Sequence, residues 1–192
     1  NLFKANLSNA ILVKAILDDV ELTGANLTEA NLDDAQANRA GFGMVNMNKT
    51  RLFNAQLSDA TLTKADLTEA DLRHADLQRV RMRESQLIKA DCAEADFRGA
   101  DMSLSNFAGA TMINADMRNV RIRMVEGYED ATWYGVDIRD INFVGAYQMR
   151  RFVIDENYLK EFRDVSKLNC WIYKIWRITS DCGRNFGLWC LW

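Results

Sequence analysis

Few side chains in this sequence are equipped for chemistry, and their spacing gives them what meaning they have. His74 is the only histidine. A metal site or a Ser–His nucleophile would have to be built around it, with further His, Cys or Ser in reach. Cys92, Cys170, Cys182 and Cys190 are the four cysteines, and no pair of them has metal-finger spacing. Asp76, Asp96 and Asp116 recur at intervals of twenty. Stacked, they would form an anion-rich column for a cation or a basic partner. Arg81 and Arg83 stand forty residues before Arg121 and Arg123, and Arg98 stands twenty before Arg118. Gathered at one corner, these six could bind acidic lipid headgroups or an acidic partner. No glycine-rich phosphate loop is present. What these groups can do depends on the elements that carry them.

Those elements follow from a period of five. Of the 24 positions spaced by five from Ala5 to Val120, 17 are Ala, four Val, two Ser and one Thr. Of the 25 positions two places on, from Leu2 to Ile122, 14 are Leu, five Met, three Phe and one Ile, leaving Ala37 and Cys92. The unit reads A-[N/D]-L-x-x, as in Ala25-Asn26-Leu27-Thr28-Glu29 and Ala65-Asp66-Leu67-Thr68-Glu69. A helix would advance by about 500° in five residues and smear this pattern around its cylinder. In extended chain the small residue and the large one share a face, but an odd period flips the next pair outward. The chain must therefore turn a corner in each repeat. Corners of about 90° close a square coil every twenty residues, with Ala and Leu inside. Stacked coils pair by parallel hydrogen bonds. Val20, Val80 and Val120 fall in one column of twenty, and only Val45 falls elsewhere.

On these residues, positions 2 to about 145 resemble the pentapeptide-repeat proteins. The resemblance implies an all-β solenoid, a right-handed quadrilateral (four-sided) parallel β-helix of about seven coils. The strict frame ends near Ile122 and resumes one residue out of step, so Arg123 to Asp130, with Gly127, reads as a bulge or short loop. Ala37 leaves room in the core that Phe42 is expected to fill. Asn1 already lies within a repeat, and the expectation is of more chain before it.

The grammar changes near Asp155. Tyr158, Leu159, Phe162 and Val165 recur at three and four, as do Leu168, Trp171, Ile172, Ile175 and Trp176. This spacing predicts a short C-terminal α-helical cap over the last open coil. We divide the chain into a β-helix over 1–146 and a helical, juxtamembrane-like tail over 147–192. Four of the five Trp lie in that tail, and it ends on an uncharged run from Phe186 to Trp192. Trp171, Trp176, Trp189 and Trp192, beside Arg177 and Arg184, are therefore candidate membrane or dimer contacts. The tail is similar to pentapeptide-repeat proteins that continue into an ion-channel-like membrane domain. The final run is too short to span a bilayer, which needs about twenty residues.

Placed on the coil, the chemistry-bearing groups sort themselves. His74 stacks between Asn54 and Glu94 on the outer surface, with no second His, Cys or Ser in register. The aspartates occupy the repeat's own Asn/Asp slot, where hydrogen bonding to corner backbone is their expected role. Asp101 lies between Arg81 and Arg121 in a ladder that partly neutralises itself, whereas Arg98 and Arg118 stack without relief. Cys92 fills a core position, where a thiol acts as a small hydrophobe. No catalytic residue, metal or cofactor is expected. Residues 1–150 carry a net charge of −5 and residues 151–192 a net of +2, too little for nucleic-acid binding by the rod. The expected function is a non-catalytic scaffold, the soluble rod of a larger membrane-anchored protein. It would engage a protein partner or its own membrane domain at the cytoplasmic face, with homo-oligomers possible through the C-terminal helices. The alternative, implied by the quinolone-resistance members of the family, is a DNA mimic that occupies a type II topoisomerase.

Overall fold

The computed structural model describes residues 1–127 together with 131, 132, 136 and 137. Throughout, each residue of the Asn/Asp slot forms a parallel bridge with the residue twenty on, from Asn6 with Asn26 to Asp96 with Asp116. The coil is therefore four-sided, twenty residues to the turn. Its first face holds residues 1–5 and their successors at intervals of twenty, and the second, third and fourth faces begin at 6, 11 and 16.

Where the backbone hydrogen bonds go explains the repeat residue by residue. The Asn26 N–H donates to Ala5 O at 2.9 Å, and the Leu27 N–H to Asn46 O at 2.7 Å. The Glu29 N–H donates to Asn48 O, and the Ala30 N–H closes the corner on Leu27 O, each at 2.9 Å. That corner puts Glu29 at φ 58°, one of 22 non-glycine residues among those described that take this left-handed conformation at the fourth place of their faces. One donor per repeat is left over, the N–H at the third place. Asn26 Oδ1 accepts it, from Thr28, at 3.0 Å. An Asn or Asp is thus favoured one place before the centre because its side chain caps the orphan N–H, an Asx turn.

Inside, Leu27, Leu67, Phe97 and Phe107 are fully buried against Ala30, Ala70 and Ala100. Each buried Leu or Phe is worth about 1.5–3 kcal/mol relative to exposure. Ala37 and Phe42 are both sealed within this core. Polar residues enter the small column only where they can bond, as Thr50 Oγ1 does to Leu27 O and Ser85 Oγ to Leu62 O, each at 2.7 Å.

The break in frame is narrower than Arg123 to Asp130. Asn106 still bridges Glu126, twenty residues on, whereas Thr111 bridges Thr132, twenty-one on. The extra residue therefore enters after Glu126. Gly127 lies there at φ 66°, and a Cβ on it would stand 2.4 Å from the Ala108 nitrogen. Ala131 packs on the core and Val136 is buried, so the inward pattern resumes one residue late. The seventh coil beyond Asp137, the helical cap and the boundary at 146 lie outside the described residues. No helix among the described residues is long and apolar enough to cross a membrane.

Candidate functional site

Most outward charges of the rod are spent on one another. On the fourth face Arg39 forms a bidentate pair with Asp19, at 2.7 and 2.6 Å, and Arg79 repeats it on Asp59. These arginine hydrogen bonds hold the Asp19 and Asp59 carboxyls below the usual range. On the third face Arg51 pairs with Asp33, and Arg73 with Asp71 at 2.7 Å, while the Arg73 guanidinium lies 5.6 Å from the Phe53 ring centre. His74 meets the edge of the same ring, and its Nδ1 is 3.3 Å from Glu94 Oε2. The stacking of His74 under Glu94 is as the register requires. Among the described residues no three His, Cys, Asp or Glu side chains converge as they would to hold a metal ion.

The expectation for Arg98 and Arg118 needs correction. The two do lie one coil apart, but they are not an unrelieved pair. Arg98 sits 2.5 Å from Asp96 and 3.5 Å from Asp116, and Arg118 sits 2.5 Å from Asp116 and 3.5 Å from Asp137. The capping geometry causes this. Asp96 Oδ1 accepts the Arg98 N–H at 3.0 Å, so the Arg98 side chain starts beside the same carboxylate and folds onto it. The same holds for Asp116 and Arg118. Burial pulls the Asp116 carboxyl upward, and the Arg118 hydrogen bonds more than offset it, so it lies below the usual range. The column Asp76, Asp96, Asp116 is accordingly a row of caps and ion pairs. Asp76 caps Gln78 and takes a bond from Ser58 Oγ at 2.9 Å.

The first face differs. Arg81 and Arg121 occupy the capping slot, as Arg51 does on the third face, and a guanidinium has no acceptor to offer. Neither the Arg83 nor the Arg123 N–H finds a side-chain cap among the described residues, unlike the N–H of Ser103 between them, which bonds Asp101 at 3.2 Å. Arg81 reaches only the Thr61 hydroxyl, at 2.7 Å, and Arg121 stands 3.8 Å from Asp101. Asp101 therefore relieves Arg121 and leaves Arg81. Glu84 is engaged by Lys64 at 3.5 Å. Of the ten arginines among the described residues, seven have a carboxylate within 4.0 Å, and the three without one are Arg81, Arg83 and Arg123. All three belong to the first face.

The same face carries the apolar exceptions at the corner. Met44, Leu104 and Met124 are the only apolar residues among the left-handed non-glycine positions, at φ 53°, 65° and 50°. All three share one column and are exposed, Leu104 by 37% and Met124 by 60%. Sequence reasoning missed them because their place in the repeat is variable. The signal was available: a large apolar residue where the register points outward and φ is positive. Trp171, Trp176, Arg177, Arg184, Trp189 and Trp192 lie outside the described residues.

A family model described as the pentapeptide repeat region matches residues 15–91, and one for pentapeptide repeats in eight copies matches residues 85–123. No curated protein matches the chain. Among solved structures the chain is similar to HetL, a pentapeptide repeat protein involved in heterocyst differentiation regulation in the cyanobacterium Nostoc sp. Strain PCC 7120. Identity is 24% at a TM-score of 0.33, over 71% of this chain and 73% of that one. A pentapeptide repeat protein of the Arabidopsis thaliana thylakoid lumen is 21% identical at a TM-score of 0.36, over 54% and 61%. A trypsin-treated form of QnrB1, a plasmid-mediated fluoroquinolone resistance protein, is 16% identical at a TM-score of 0.39, over 78% and 68%.

Proposed function

The chain belongs to the pentapeptide-repeat family, and from that premise we propose that it is a non-catalytic scaffold that engages a protein partner through the first face of its coil. One observation carries this reading. Among the described residues, Arg81, Arg83 and Arg123 stand without a carboxylate within 4.0 Å, and every other arginine has one. The core beneath is sealed, so recognition must take place on the outer faces.

In-cell photocrosslinking of the natural full-length protein tests the proposal. A photoreactive residue at position 123 is expected to capture a discrete partner, and one at Glu29 on the second face is not. Equal capture at both positions, or none at either, would remove the first face from the function.

The DNA-mimic alternative is less well supported by the surface. It needs a continuous negative face, and the fourth-face column Asp19, Arg39, Asp59, Arg79 alternates in sign at every coil. The remaining elements of the reading belong to the tail. We place a helical cap and a membrane-side contact in residues 147–192, through Trp171, Trp176, Trp189 and Trp192. Liposome partitioning of the natural full-length protein is the direct test, and loss of partitioning when these four become serine is the expected result.

A further inference from the structure

We propose that the first face binds an acidic amphipathic helix lying along the rod, with carboxylates on Arg83 and Arg123 and an apolar residue on Leu104. This rests on the interaction reading above and names the chemistry of the partner. The argument is one of spacing and charge. Arg83 and Arg123 stand two coils apart, about 10 Å at the spacing of neighbouring strands. Leu104 lies on the coil between them, at the corner place next to their column, and Met124 extends the apolar strip one coil further.

An α-helix rises about 10.5 Å over seven residues and returns to nearly the same side. Carboxylates at i and i+7 would therefore meet the two guanidiniums, and apolar residues at i+3 and i+4 would fall over Leu104. Arg81 adds positive charge beside this track, since its only side-chain partner among the described residues is the Thr61 hydroxyl. The acidic groups within the face do not compete, because Asp101 caps Ser103 and faces Arg121, and Glu84 is held by Lys64. An exposed leucine at positive φ is unfavourable twice over, in backbone strain and in hydration. Its presence between two arginines that have no carboxylate among the described residues is accounted for by a partner that covers it.

The test uses the natural full-length protein and a labelled helical peptide with Glu at i and i+7 and Leu at i+3 and i+4. Binding is read by fluorescence anisotropy, and a peptide of the same composition in scrambled order serves as control. Saturable binding of the ordered peptide is expected, weakening as salt rises. Arg83→Glu with Arg123→Glu should weaken it by about tenfold or more. Neither side chain has a partner among the described residues, so the melting temperature should hold. Leu104→Asn should weaken binding several-fold without lowering the melting temperature. Equal binding of the scrambled peptide, or indifference to the charge reversal, overturns the proposal. So does binding only to vesicles of phosphatidylglycerol, which would assign the face to lipid. Crosslinking at position 123 that persists while the peptide fails removes the acidic helix alone, whereas failure of both removes the face.

Discussion

The carboxylates of this rod serve two masters, the orphan N–H of the corner and an arginine. Asp71 shows both, accepting the Arg73 N–H at 3.2 Å and its guanidinium at 2.8 and 2.7 Å. Its carboxyl is held below the usual range, first by the Arg73 side-chain hydrogen bond and against some burial. Asp19 and Asp59 are lowered in the same way by Arg39 and Arg79. A carboxylate depressed in the folded state adds stability above its unfolded pKa and loses it as pH falls through the folded value. The melting temperature should therefore hold from neutrality to about pH 5 and fall below about pH 4, where unfolded aspartate takes up its proton. Asp71→Asn should make that acid limb shallower, since the amide has no proton to gain. A steepening limb in the variant would contradict this account of the ion pairs. Cys92 stays outside such chemistry, because burial pushes its thiol up.

At the scale of the repeat, the narrowest constraint is the small column of the third face. Ala35, Ala55, Ala75, Ala95 and Ala115 occupy it without exception, and all are sealed. Ala75→Leu should overpack the interior and cost about 1–3 kcal/mol, read as a shift in urea midpoint. An unchanged midpoint would mean that the column is looser than its burial indicates. Gly127→Ala should also destabilise, by more than the ordinary strain of positive φ, because its Cβ would meet Ala108 backbone rather than a flexible side chain. Leu104→Asn points the other way. Asn tolerates the left-handed region better than Leu, so about 0.5–1 kcal/mol of added stability is expected. These positions also mark what the sequence made legible. The period of five marked the inward residues and the need for a corner in each repeat, and corners of about 90° then set the four-sided coil and its columns. It even placed Asp101 between Arg81 and Arg121. It could not tell that Arg98 and Arg118 fold back onto Asp96 and Asp116, since side-chain direction follows from the cap and not from the column. Nor did it mark Leu104 and Met124, which occupy a place where the repeat accepts almost anything.

Taken as one molecule, the rod is close to one-dimensional, since each coil contacts only its neighbours. Its two kinds of order respond differently to a change in length. The core depends on which residues face inward, and that repeats every five residues. The surface depends on which residues stack, and that repeats every twenty. Removing 41–60 should therefore leave both intact, with less total stability. Removing 41–45 alone keeps Ala and Leu inward but rotates everything beyond by one face, so Arg79 still stacks on Asp59 while Arg39 no longer aligns with Asp59. Removing 41–42 breaks the inward pattern and should prevent folding. In the first two deletions Arg81, Arg83, Leu104, Arg121 and Arg123 keep their mutual register, because all lie beyond the cut. Peptide binding on the first face should survive both deletions within about twofold, measured by the same anisotropy titration under conditions where the shortened rods stay folded. Loss of binding in the five-residue deletion alone would mean that the partner also reads the faces of earlier coils. The site would then be a long track along the rod, not a patch at one end.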